Sequence, residues 1–166
     1  MGPAFAAVGA GVAALLEGTV ASRFQFAGAQ LQIILVFAIV LTIVFSLEDG
    51  LAWAFIGGIF ADLLAVRPLG STLFGLLIAV GGTAALIHYL SLGRLLNSVV
   101  CVFLMTLAYV VVIDGVVSVL DPPAYPLHLT SLFGTALVNA AFSVLVAGLA
   151  IATKRHFVDR RQRSVW

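Results

Sequence analysis

Gly57-Gly58-Ile59-Phe60-Ala61-Asp62-Leu63-Leu64-Ala65-Val66-Arg67-Pro68-Leu69-Gly70 sets one acid deep inside an apolar run. A carboxylate in hydrocarbon costs a few kcal/mol and is retained only where the protein interior or a water-filled cavity receives it. Asp62 therefore marks an internal polar anchor. Gly58 and Ala54 precede it by four and eight residues, so all three share one helical face. Small residues let a neighbouring backbone approach, and the acid then bonds a hydroxyl, an amide or an arginine there. Two readings stay open at Asp62: a hydrogen-bonded packing seam, or a proton, ion or ligand site. If it is polar glue alone, Asp62→Leu is expected to be mild, because membrane hydrogen bonds average about 0.6 kcal/mol.

The rest of the chain has the same apolar character. Of 166 residues, 63% are hydrophobic and 9% charged, and the mean hydropathy is +1.21. Soluble domains carry about 25% charged residues, so this composition points to the bilayer as solvent. A span needs roughly 20 apolar residues, and the length then accommodates six with short loops. The net charge of +1 implies no nucleic-acid partner. Cys101 is the single cysteine, which excludes an internal disulfide. No basic residue precedes the first apolar run, so that run is expected to stay as a span rather than be cleaved.

The reading is all-α: a polytopic membrane protein with six transmembrane helices over 3–22, 29–47, 50–66, 71–90, 95–120 and 127–153. Residues 1–153 form the transmembrane domain and 154–166 a basic cytoplasmic tail. Pro68 disfavours helix at Arg67, and Gly70 suits a turn. Ser91-Leu92-Gly93-Arg94 and the proline-rich run from Asp121 to Pro126 mark further breaks. Lys154, Arg155, Arg160, Arg161 and Arg163 crowd the tail, which the positive-inside rule places in the cytoplasm. Both termini are then cytoplasmic, Arg94 is inside, and Arg23 and Arg67 are outside. The basic tail is expected to face anionic lipid.

Glu17 and Asp114 are the other intramembrane acids, expected near the outer interface. In the first helix Gly2, Ala6, Ala10, Ala14 and Gly18 recur every four residues, a candidate helix-contact face. His88, His128 and His156 lack metal-ligand spacing, and no Gly-x-Ser-x-Gly, phosphate loop or zinc-protease helix occurs. The Asp49-Gly50 and Gly58-xxx-Asp62 pattern lacks the further acids of CDP-alcohol phosphotransferases. The chain reads as a non-enzyme with no cofactor and no metal.

The chain's size, its six spans and the 57–70 segment resemble the MreD family of bacterial rod-shape-determining proteins, on Gly58, Asp62, Leu63, Leu64, Pro68, Leu69 and Gly70. The region from Gly28 to Gly50 is similar to that family's second span and its acidic-glycine turn. The resemblance implies a non-enzymatic scaffold of the bacterial inner membrane, within the cell-elongation and peptidoglycan-synthesis machinery. It implies an MreC-like bitopic partner and, indirectly, MreB and the RodA–PBP2 synthase, with Gly57, Gly58, Asp62, Pro68 and Gly70 as structural or partner-binding residues. The family's fold is similar to that of the substrate-binding subunits of energy-coupling-factor transporters. A vitamin-binding subunit of that kind is the alternative function, and it requires polar and aromatic groups converging near the outer face.

Overall fold

A computed structural model describes residues 3–21, 29–64, 69–120 and 129–163, with side chains in 8–19, 29–64, 69–119 and 129–155. Among the described residues there are six α-helices and no strand. They are α1 Pro3–Leu16, α2 Ile33–Val44, α3 Leu47–Leu64, α4 Ser71–Leu86, α5 Arg94–Leu120 and α6 Leu129–Arg163, with one π-helical turn, Glu17–Ala21, extending α1.

The central element is α2. Nine of its residues are buried, from Ile34 to Val44, and they point in every direction around the helix axis. A helix apolar all round must be enclosed, and α2 packs against each of the other five helices. Those five form an arc around it in the order α1, α3, α4, α5, α6. Glycines set the closest approaches. A Cβ on Gly50 would lie 1.9 Å from Thr42 Oγ1, so α2 and α3 meet there with no room for a side chain. One turn further on, Phe37 and Trp53 stack with ring centroids 5.3 Å apart.

Several boundaries differ from the sequence reading: the α2–α3 turn falls at 45–46 rather than 48–49, and three larger differences have a local reason. Helix α2 begins at Ile33 rather than near residue 29. The amides of Gln30 and Gln32 are taken by Thr135 Oγ1 (3.1 Å) and Asn139 Oδ1 (2.9 Å) of α6, so this stretch needs no helix to satisfy its backbone. Helix α4 ends at Leu86, and the side chain of Asn97 folds back to bond Leu90 O and Leu92 N. Helix α6 runs through the expected tail boundary to Arg163, because Lys, Arg and Gln are good helix formers and neither Gly nor Pro interrupts them.

Two helical stretches, Arg94–Val119 and Leu129–Arg155, are long and apolar enough to cross a bilayer. The 12 residues of α2 rise only about 18 Å, against a hydrocarbon core of roughly 30 Å.

Candidate functional site

Asp62 lies in the last turn of α3 and is 4% exposed. Its Oδ1 accepts the Thr72 amide (2.9 Å), and its Oδ2 accepts those of Gly70 (3.0 Å) and Leu73 (3.1 Å). The first amides of a helix have no intrahelical acceptor, and the helix dipole places partial positive charge there. A buried carboxylate meets both needs through charge-assisted bonds. Gly70 has φ +93°, a left-handed conformation suited to glycine, and it offers no side chain to cap α4 itself. The acid eight residues earlier does so from the preceding helix.

Gly58 makes that reach possible. A Cβ there would stand 2.7 Å from Leu73 Cα, so α3 and α4 touch backbone to side of backbone one turn before Asp62. A Cβ on Gly57 would stand 2.7 Å from Ile34 Cγ2 of α2. The Ala54–Gly58–Asp62 face is thus occupied within the chain. Among the three partner types open at Asp62, the structure selects backbone amides. The expectation of a mild Asp62→Leu is corrected accordingly, since three buried amides would lose their acceptor. Of the other residues named for this segment, Gly70 forms the turn, and Pro68 and Arg67 lie outside the described residues.

Glu17 has a parallel role. Its Oε2 accepts the amide of Ile34 at the start of α2 (2.9 Å). Asn139 of α6, fully buried, accepts the Gln32 amide and donates to Gln32 Oε1 (3.1 Å) and Thr106 Oγ1 (3.3 Å). Together these side chains hold the entry to α2 between α1, α5 and α6. Asp114 is half-buried on α5, and its carboxylate has no partner among the described residues.

The opposite end of α2 receives a cation. Lys154 Nζ donates to the Val44 carbonyl and lies 5.6 Å from the Phe45 ring centroid, the favourable sign for a helix C-terminus. Lys154, read from the sequence as a lipid-facing tail residue, is therefore turned onto the chain itself. Arg155 is exposed. The side chains of Arg160, Arg161 and Arg163 lie outside the described residues. At the α2–α3 turn, Ser46 Oγ accepts the Asp49 amide (3.2 Å) and donates to Asp49 Oδ2 (2.9 Å). The spacing Ser46-xx-Asp49 before an apolar run is a capping-box signal that the sequence reading passed over. Nothing in the sequence marks Gln30 and Thr135, or Gln32 and Asn139, as partners, because more than 100 residues separate each pair.

In the first helix Ala10 and Ala14 are buried, whereas Gly18 is exposed with open space where a Cβ would be. Gly2 and the Ala6 side chain lie outside the described residues. Among the described residues no three His, Cys, Asp or Glu side chains converge to hold a metal ion. What this arrangement does chemically is satisfy helix ends: acids at the N-termini of α2 and α4, and a lysine at the C-terminus of α2. Comparison of the chain with protein-family models, with curated proteins and with solved structures finds no match.

Proposed function

We propose that this chain is a six-span protein of the bacterial inner membrane, a non-enzymatic scaffold of the cell-elongation machinery that binds an MreC-like bitopic partner. The observation that carries the membrane part is the division between surface and interior. Large apolar side chains face outward on every helix whose outer face is described; Val8, Phe55, Phe74, Val111, Leu137 and Leu149 are each at least half exposed. Asp62, Glu17 and Lys154 meanwhile turn inward onto helix ends. Such a surface suits hydrocarbon, where every backbone polar group needs an internal partner. The short α2 fits this reading, since non-helical backbone at membrane depth is tolerated where protein encloses it. The scaffold part rests on the resemblance carried by the 57–70 segment. It is supported by an Asp62 whose oxygens are engaged in holding α3 to α4.

Because the Gly58 seam is filled by α4, a partner helix docks on an outward apolar face. The alternative, a vitamin-binding subunit, needs open polar groups. Gln32, Asn139 and Thr106 instead bond one another.

The test is extraction and co-purification from native bacterial membranes. The chain is expected to stay with the membrane in alkaline carbonate and to bring down a single-span protein at fixed stoichiometry. Release by carbonate would end the membrane reading. A vitamin recovered from the purified chain, with no protein partner, would replace scaffold by transport.

A further inference from the structure

A cleft of about 850 Å³ opens between the α4–α5 turn, the first turns of α5 and the last apolar turns of α6. Arg94, Lys154 and Arg155 lie at one end of it, and Val99, Val144 and Ile151 continue its wall along the two helices. No acid lines it. Lys154 is held by the Val44 carbonyl. The guanidinium groups of Arg94 and Arg155 have no hydrogen-bond or ion-pair partner among the described residues. From Val144 to Arg155 the helix rises about 16 Å, close to half of a hydrocarbon core of roughly 30 Å.

We infer that this cleft binds one anionic glycerophospholipid. The phosphate sits between Arg94 and Arg155, whose planar guanidinium groups match it in bidentate fashion. The acyl chains follow Val99, Ile151 and Val144 through one leaflet. Charge decides the headgroup class. Three cations favour a net negative lipid, and among the described lining residues no acid receives the ammonium of a zwitterionic one. This rests on the membrane reading above, in which Arg94 and Arg155 face the cytoplasmic leaflet, where anionic lipid draws basic groups. It specifies a bound lipid at one cleft, which a general attraction of the basic tail does not.

The experiment is native mass spectrometry of the full chain in detergent, titrated with phosphatidylglycerol or with phosphatidylcholine. The wild type is expected to retain one phosphatidylglycerol in preference by about tenfold or more, from two arginines. Arg94→Gln with Arg155→Gln should abolish the preference with Lys154 left in place. Val144→Trp fills the apolar wall and should expel the lipid with the charges intact. Val144 is exposed, so its thermal unfolding should match the wild type. The inference is overturned by equal retention of the two lipids, by a preference that survives the double substitution, or by displacement with inorganic phosphate alone. Should the double variant unfold, Val144→Trp decides. Alkaline carbonate separates the two readings: a chain that is released refutes membrane insertion, and one that stays but shows no headgroup preference refutes only the lipid site.

Discussion

Asp62 shows how one residue's role is set by what surrounds it. Its carboxylate accepts three amides in a site with almost no solvent, and hydrogen bonds to charged groups contribute about 1.5–3 kcal/mol each. Asp62→Leu leaves Gly70, Thr72 and Leu73 without acceptors, so the expected loss is at least about 3 kcal/mol. Asp62→Asn keeps one carbonyl acceptor of the same shape and should cost about 1–2 kcal/mol, in the range of ordinary cap substitutions. Thermal unfolding of both variants in detergent measures the difference. An Asn variant as stable as the wild type would mean the charge is not used at the start of α4, and one as unstable as Leu would mean a neutral acceptor contributes nothing there. Asp62→Lys places a cation against the positive end of a helix and should be the worst of the three.

Among elements, the α3–α4 pair depends on contact without side chains. A Cβ at Gly58 meets backbone at 2.7 Å, and no rotamer change relieves a clash with Leu73 Cα. Gly58→Ala should therefore cost about 1–3 kcal/mol, the usual range for overpacking. Gly81, on the exposed side of α4, has nothing within 4 Å of its would-be Cβ. There alanine should be neutral or gain up to about 1 kcal/mol from helix propensity. Comparing the two unfolding temperatures tests the packing directly, because both substitutions add the same methyl group. A Gly58→Ala chain as stable as Gly81→Ala would show that α3 and α4 are further apart than described. The same logic makes α2 the organising helix: enclosed on all sides, it is held at one end by Glu17 and Asn139 and at the other by Lys154.

For the whole molecule, the proposed six-span topology makes a side-specific prediction. Helix α4 separates Leu69, 77% exposed, from Leu92, 54% exposed. In that topology Leu69→Cys is labelled by an impermeant thiol reagent in spheroplasts and Leu92→Cys only in inverted vesicles. Ser164→Cys should behave like Leu92→Cys, because the basic end of the chain is placed in the cytoplasm. The native Cys101 is fully buried and adds little background. Labelling of Leu69→Cys and Leu92→Cys from the same side would show that α4 does not span.

The sequence by itself determined an all-helical chain of six segments, with breaks near Gly70 and Gly93 and an acid at Asp62 that needs an internal partner. Those properties are local: apolar runs without alternation, glycine at positive φ, and the cost of an unpartnered charge. Ser46-xx-Asp49 was legible in the same way. Tertiary structure alone decided which amides Asp62 receives and why α2 starts only at Ile33. It also decided that Asn139 answers Gln32 across 107 residues and that Lys154 closes the far end of α2. The physical reason is that hydropathy loses its directional content when nearly every position is apolar. With no polar stripe to mark an outer face, the sequence leaves open which side of each helix meets a neighbour. That is settled only by the distances at which glycines let backbones touch and by the polar groups that must then find one another.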